Sequence, residues 1–274
     1  MVAQLVHNPW LGPWLGMGAE MVVLTLLLLA LRWCQRRVAL TPEASRKLFH
    51  IGGGLTTLSF PWLFQVWWPP LALLPLTVGT LLALKYLGGL RGGLGLVLYG
   101  IERESLGEVY MPLSITLVWL LSGGRPALYC APVLVLTLAD PAAALVGTRF
   151  GRLRYPVAGG TKSLEGSVAF GITAYLAVQA PLLLLTALHP AVVMLSALLV
   201  AALAMLAEAV AGRGLDNLII PLLCFGLLRL CLAQPGAALG VQMALALAVT
   251  IAVLAWRCHV AVGRGVVPRA SAGA

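Results

Sequence analysis

Long apolar runs separated by short polar segments recur along the whole chain. A run of roughly 20 apolar residues is long enough to cross a bilayer as a helix. With boundaries placed at charges, prolines and glycine clusters, the pattern predicts nine spans, namely 14–32, 48–64, 67–87, 109–122, 127–147, 166–188, 190–210, 216–233 and 237–256. The fourth run is short, and the turn at 122–126 fits a re-entrant or interfacial bend as well as a full exit. The sequence therefore predicts an all-α, polytopic transmembrane helix bundle that forms a single domain over residues 1–274.

Composition supports a membrane environment. Of 274 residues, 61% are hydrophobic and 10% are charged, and the mean hydropathy is +0.98, far above that of a domain whose exterior faces water. The first apolar run is followed by basic residues and not preceded by them, which is the reverse of a signal peptide and predicts a retained span. No segment rich in Arg and Ser precedes it, so we expect a multi-pass protein of a bacterial inner membrane.

The basic residues predict the orientation of the bundle. Every Lys and Arg except Arg125 and Arg229 lies in the last turn of an odd-numbered predicted span or in the segment that follows it. Because cytoplasmic loops carry the excess of basic residues, the N-terminus is predicted outside and the C-terminus in the cytoplasm. The net charge of +9 is spread over these loops and forms no dense patch, so membrane lipids are expected partners and nucleic acid is not.

The nine acidic residues share a depth. All except Glu20 lie in predicted cytoplasmic loops or in the cytoplasmic thirds of spans. A carboxylate at the centre of a span costs roughly 3 kcal/mol, so this shared depth predicts one polar site that opens to the cytoplasm. Asp140 is the strongest candidate, because it follows the apolar run 131–139 and precedes Pro141. Glu20, Glu43 and Glu102 are explained equally well as helix caps or salt-bridge partners.

The densest polar motif lies around the fifth loop. Gly147 and Gly151 are four residues apart and form a small face that either packs another helix or lets a phosphate approach. Further on, Thr161 or Ser163 is predicted to cap the sixth span, leaving free amides and Lys162 to face a phosphate. The spacing is not that of a Walker A loop, and no strand is expected before it. Acidic metal ligands beside a cationic phosphate site suit phosphoryl transfer.

Five motifs in order resemble those of the CTP-dependent polyprenol kinases, the family that includes phytol kinase and dolichol kinase. They are Arg46-Lys47-x-x-His50, Glu104-Ser-x-Gly-Glu108, Asp140 with Gly147 and Gly151, Lys162-Ser-x-Glu-Gly-Ser167, and Glu208 with Asp216-Asn217. The resemblance covers about residues 44–222, and the motif that begins at Lys162 is its most specific part.

The resemblance implies a kinase that transfers the γ-phosphate of CTP, or of another nucleoside triphosphate, to a lipid alcohol such as phytol, farnesol or geranylgeraniol. It implies nucleotide contacts from Arg46, Lys47, Gly147, Gly151, Lys162, Ser163 and Asn217. It implies Mg²⁺ ligands among Asp140, Glu165 and Asp216. The catalytic residues would be Asp140 together with a base chosen from Glu104, Glu108 and Glu208, with His50 as a further candidate.

Two other functions compete with this interpretation. A phosphatidate cytidylyltransferase-like enzyme would also combine a CTP site with a lipid acceptor, but the motif that begins at Lys162 favours the kinase. A lipid transporter would place charges near the membrane midplane and often shows inverted repeats, whereas here the charges lie at one face and no repeat is evident. The five cysteines form no C-x-x-C pair, which speaks against a zinc site.

Overall fold

The computed structural model describes residues 11–100, 106–157, 160–210 and 214–233, together with 248 and 252. In these ranges eight long helices follow one another in the order of the first eight predicted spans: α1 Gly12–Arg37, α2 Pro42–Thr57, α3 Pro69–Tyr86, α4 Gly107–Ser122, α5 Pro126–Phe150, α6 Leu164–Leu185, α7 Pro190–Val210 and α8 Asp216–Cys231. Single helical turns at Phe60–Leu63, Gly88–Arg91 and Leu96–Tyr99 lie between them.

The helices have the length and apolarity expected of a membrane protein. Helices α1, α3, α5, α6 and α7 are long and apolar enough to cross a bilayer, and α4 is a shorter apolar helix. After α4 the chain turns through Gly123 and Gly124, whose φ angles of 59° and 74° favour glycine. The predominantly helical architecture is therefore confirmed, and five of the described helices have the length and composition of membrane spans. The ninth predicted span, 237–256, falls outside the described residues apart from positions 248 and 252.

Helix α5 changes its winding just before Asp140. It is α-helical over Pro126–Leu134, π-helical over Val135–Ala139 and α-helical again over Asp140–Phe150. Pro141 has no N–H to donate to the preceding turn, which favours a wider turn at this point. The carbonyl oxygen of Leu136 accepts a hydrogen bond from the His50 ring at 3.0 Å when His50 Nε2 carries the proton. The π-helical turn thus ties α5 to α2 one turn away from Asp140.

A β-hairpin precedes α6, so the expectation that no strand lies there was wrong. Strands β1, Arg154–Val157, and β2, Gly160–Ser163, pair antiparallel with Tyr155 opposite Lys162. The Tyr155 side chain is buried, and its hydroxyl lies 2.5 Å from Ser167 Oγ on α6. This tertiary contact stabilises a strand that is too short to give a recognisable alternating pattern.

Small residues bring α5 and α6 unusually close together. A Cβ on Gly166 would lie 2.9 Å from the Ala143 carbonyl oxygen, and a Cβ on Gly147 would lie 3.0 Å from Ser163 Oγ. Neither position can take a larger side chain without displacing its neighbour. The close packing fixes the hairpin and the start of α6 against the end of α5 that carries Asp140.

Candidate active site

A polar cavity lies where the ends of α2, α5, α6, α7 and α8 meet β2. Its wall contains residues from six separate stretches of the chain, including the predicted site residues Lys47, Asp140, Gly147, Lys162, Ser163, Glu208 and Asp216. Of the acidic residues that the sequence placed at one depth, Glu43, Asp140, Glu208 and Asp216 line this cavity. The wall combines ammonium groups, carboxylates and the exposed backbone beside a glycine, which suits a polyanion bound together with a cation.

Lys162 is held in this cavity by Glu208. Its Nζ lies 2.7 Å from Glu208 Oε1 and also donates a hydrogen bond to the Glu208 carbonyl oxygen. The second carboxylate oxygen, Oε2, accepts a hydrogen bond from Ser167 Oγ at 3.2 Å. Glu208 is 4% exposed, so this charge has left water and depends on these partners. The arrangement fixes one ammonium group at the cavity wall, with Glu208 as its positioning residue.

Asp140 forms the second ion pair of the site. Its Oδ2 lies 3.2 Å from Lys47 Nζ, and both side chains are about one-quarter to one-third exposed. Lys47 comes from α2 and Asp140 from the turn after the π-helical segment. Because both groups still contact solvent, their pairing leaves them available to a ligand in the cavity.

The N-terminus of α6 is capped as predicted. Ser163 Oγ accepts a hydrogen bond from the amide of Gly166 at 3.1 Å, which settles the choice between Thr161 and Ser163. Gly151 packs tightly against this cap, since a Cβ there would lie 2.7 Å from Ser163 Oγ. Gly147 lines the polar cavity, whereas Gly151 is absent from its described wall. The two glycines therefore serve backbone packing, and Gly147 additionally leaves room beside the cavity.

Glu165 lies apart from the other predicted metal ligands. Its Oε1 accepts hydrogen bonds from the amides of Arg152 at 2.9 Å and Leu153 at 3.2 Å. In the described part of the chain Glu165 lines neither this cavity nor the apolar one next to it. The contacts indicate that Glu165 shapes the connection between α5 and β1.

A second, largely apolar cavity runs between α1, α2, α3 and α4. Side chains such as Leu73, Leu81 and Ile115 line most of its length. At one end its wall includes three residues that also line the polar cavity, namely Lys47, Asp140 and Asp216. The two cavities thus meet at a cluster of charged groups.

Further polar residues surround this meeting point. Glu108 pairs with Lys85 at 3.2 Å, and Asn217 donates a hydrogen bond to the Gly107 carbonyl oxygen at 3.0 Å. Burial raises the pKa of Tyr99, whose hydroxyl donates to the Leu81 carbonyl oxygen at 3.1 Å. These contacts join α3, α4 and α8 around the mouth of the apolar cavity.

The remaining predicted residues are placed as follows. Arg46 lines the apolar cavity and pairs with Glu43 at 3.1 Å, and His50 lines the same cavity. Glu104 lies outside the described residues. Sequence reasoning gave no role to Lys85 or to Tyr155. Lys85 could have been noticed as a lone charge at the end of an apolar run, but nothing local marks the contact between Tyr155 and Ser167.

The carboxylates can be tested for their fit to Mg²⁺. No group of three or more His, Cys, Asp and Glu side chains arranged to hold a metal ion occurs within the residues that the structure describes. Asp140 and Asp216 both line the polar cavity. Mg²⁺ is commonly held by one or two carboxylates together with water and substrate phosphates, so this pair fits a metal that arrives with a nucleotide.

Comparison with known proteins identifies the family. No protein-family model and no solved structure matches this sequence. Phytol kinase of Synechocystis sp. is 31% identical to it over 219 residues, which are 79% of this chain and 91% of that protein. The aligned length covers nearly all of the relative, so the similarity is not confined to an isolated motif. This chain belongs to the phytol/polyprenol kinase family.

Proposed function

We propose that the protein is a membrane-embedded kinase that transfers the γ-phosphate of CTP, or of another nucleoside triphosphate, to a lipid alcohol such as phytol. The observation that carries this proposal is the meeting of a polar and an apolar cavity at Lys47, Asp140 and Asp216. A hydrophilic phosphate donor needs a polar binding site and a lipid acceptor needs an apolar one, and the two sites must meet where the phosphate is transferred. The phytol kinase relative supports the same reaction type.

The nucleotide phosphates would occupy the polar cavity. Lys162 and Lys47 supply positive charge there, and the backbone beside Gly147 permits a close approach. Fixed cations that neutralise phosphate charge provide most of the catalysis in phosphoryl transfer. Because Glu208 already holds Lys162 in place, little reorganisation is needed when the phosphates bind.

Mg²⁺ would be held by Asp140 and Asp216 in this proposal. Bound there, it would neutralise phosphate charge at the junction of the two cavities. Glu165 was the third candidate ligand from the sequence. Its carboxylate is engaged by two backbone amides, which favours a supporting role.

The lipid alcohol would lie in the apolar cavity with its hydroxyl at the junction. In the reaction its oxygen bonds to the γ-phosphorus, the bond from that phosphorus to the bridging oxygen breaks, and the nucleoside diphosphate leaves with the electron pair. Asp140 is the best-placed group to orient the hydroxyl and take its proton, because it lines both cavities. Glu108 lines the apolar cavity but not the polar one, and Glu208 lines the polar cavity but not the apolar one, which makes either a weaker candidate.

The proposed topology places this junction at the cytoplasmic face of a bacterial inner membrane. Nine spans with the N-terminus outside put the hairpin and the basic loops in the cytoplasm, where nucleotides are found. A single reporter cysteine, Gly160→Cys in a background lacking the native cysteines, tests the orientation. Labelling by an impermeant reagent from the periplasm alone would overturn it.

The decisive experiment compares two labelled donors. Purified protein is incubated with Mg²⁺ and with CTP labelled at either the α- or the γ-phosphate. The acceptors are phytol, farnesol, geranylgeraniol, diacylglycerol and phosphatidate. Unlabelled UTP, ATP and GTP serve as competitors. The proposal expects γ-label in a lipid monophosphate, lost in Asp140→Asn that elutes as folded protein. Label from the α-phosphate in lipid would instead identify a cytidylyltransferase. No label from either form of CTP, and none from γ-labelled UTP, ATP or GTP used in its place, with folded protein, would refute both.

A further inference from the structure

The wall of the apolar cavity extends away from the charged junction along α2, α3 and α4. On α3 its wall runs from Leu81, near the junction, to Pro70, and on α4 from Glu108 to Thr116. At that far end stands Phe60, which is 4% exposed and belongs to the single turn that follows α2. On α2 and the turn after it the wall runs from Lys47 to Phe60, so Phe60 is the lining residue of this stretch farthest along the chain from the junction.

Phe60 is held by other aromatic rings that are themselves anchored. Its ring centroid lies 5.1 Å from that of Phe64, 6.2 Å from that of Trp119 and 6.0 Å from that of Tyr129. Trp119 Nε1 donates to the Trp67 carbonyl oxygen at 3.1 Å, and the Tyr129 hydroxyl donates to the Thr57 carbonyl oxygen at 2.9 Å. Within the described wall of the cavity, Phe60 is the member of this aromatic cluster that faces the lumen. The end wall is rigid because its rings interlock and their polar atoms are satisfied.

The length of the cavity limits the tail. From Leu81 to Pro70 the helix rises about 16 Å at about 1.5 Å per residue, which holds an extended tail of about three to four isoprene units. A much longer polyprenol would have to bend out of the cavity or displace the aromatic cluster.

We propose that Phe60 is a specificity-determining residue that sets the maximum tail length of the isoprenoid bound in the apolar cavity. The inference rests on the proposed function, because it takes the occupant to be the lipid acceptor with its hydroxyl at Asp140. Phe60 touches no reacting group and acts only on the distal end of the tail. Replacing it should therefore change which alcohols are accepted and leave nucleotide binding unchanged.

The test uses all-trans prenols that differ by one isoprene unit, from geraniol through farnesol, geranylgeraniol and geranylfarnesol, with solanesol as a long probe. Two readouts are taken for each alcohol: kcat/KM for phosphate transfer, and retention on the detergent-solubilised protein measured by mass spectrometry without nucleotide. The variants are Phe60→Ala, the milder Phe60→Leu, and Phe64→Ala as the matched control, since Phe64 belongs to the same cluster but is not part of the described cavity wall. Leu74→Phe shortens the cavity and tests the opposite direction.

The unaltered protein should lose about tenfold in kcat/KM between geranylgeraniol and geranylfarnesol, a discrimination typical of one extra apolar group against a packed wall. Phe60→Ala or Phe60→Leu should remove most of that loss, Phe64→Ala should not, and Leu74→Phe should move the limit to shorter alcohols. Equal use of solanesol and geranylgeraniol by the unaltered protein would overturn the inference while leaving the kinase intact. A length limit in retention without any transfer would overturn the kinase and leave the limit standing. Retention of no prenol at all would overturn the inference.

Discussion

The ion pair between Lys162 and Glu208 links stability to activity in a way that substitutions can separate. Lys162→Met removes the ammonium group and leaves Glu208 in its buried position beside Ser167. Glu208→Gln leaves Lys162 behind, but that side chain is 21% exposed and can contact water, whereas the Glu208 side chain is 6% exposed. The two single substitutions should therefore have unequal effects on stability.

The magnitudes follow from burial. Removing one partner of a buried ion pair costs about 3–5 kcal/mol, and partial solvent access places Lys162→Met near the lower end, about 3 kcal/mol. Glu208→Gln keeps a hydrogen-bonding side chain and should cost about 1–2 kcal/mol. In the double variant Lys162→Met with Glu208→Leu no buried charge remains, so most of the lost stability should return. Ser167→Ala removes two hydrogen bonds, one to Glu208 and one shared with the Tyr155 hydroxyl, and should cost about 2 kcal/mol, still less than Lys162→Met.

Two measurements on the same preparations test this reasoning. Thermal unfolding of the solubilised protein, followed by the amount that remains monodisperse, should rank Lys162→Met lowest and bring the double variant close to the unaltered protein. Phosphate transfer should be lost in Lys162→Met and in the double variant, because the polar cavity of each lacks the ammonium group of Lys162. A stable double variant that retains transfer would refute the role of Lys162 in binding phosphates. A double variant as unstable as Lys162→Met would refute the account of the buried pair.

Three further predictions concern other parts of the site. Asp140→Asn should lower kcat at least about a hundredfold. It should change thermal stability little, because the ion pair of Asp140 with Lys47 is partly exposed. A large loss of thermal stability would mean that Asp140 has a structural role. Gly166→Ala should destabilise the protein by about 2 kcal/mol, because the added Cβ clashes with the Ala143 carbonyl oxygen. Gly79→Ala is the control and should be neutral, because a Cβ there meets open space. Equal thermal stability of the two variants would contradict the close packing of α5 and α6. Glu165→Gln should raise the KM for nucleotide more than it lowers kcat, because weaker hydrogen bonds to Arg152 and Leu153 loosen the segment before the hairpin. A decrease in kcat alone would support Glu165 as a metal ligand.

The sequence was sufficient for the features that depend on local composition. The first eight predicted spans have helices in corresponding positions, because a long apolar run determines a membrane helix largely by itself. The cap of α6 by Ser163 was among the two predicted choices, since capping involves residues three positions apart. The motif series also pointed to the family that the phytol kinase relative supports.

Other features depended on residues distant in the chain. The strands of the hairpin are four residues each, too short for a reliable pattern, and they are stabilised by the contact of Tyr155 in β1 with Ser167 on α6. The sequence predicted Glu165 as a metal ligand. In the structure its carboxylate accepts hydrogen bonds from the backbone amides of Arg152 and Leu153, just before β1. The role of a carboxylate depends on which donors the fold brings to it.

The division between two cavities was decided by tertiary structure alone. Lys162 contacts Glu208, 46 positions away, and Lys47 contacts Asp140, 93 positions away. Nothing in the sequence around either lysine predicts its partner. Likewise, nothing adjacent to Phe60 in the chain reveals that it lines a cavity. Apolar periodicity determines that helices form, because lipid burial acts on each segment separately. Which side chains then face one another depends on how those helices pack, and packing is a property of all of them together.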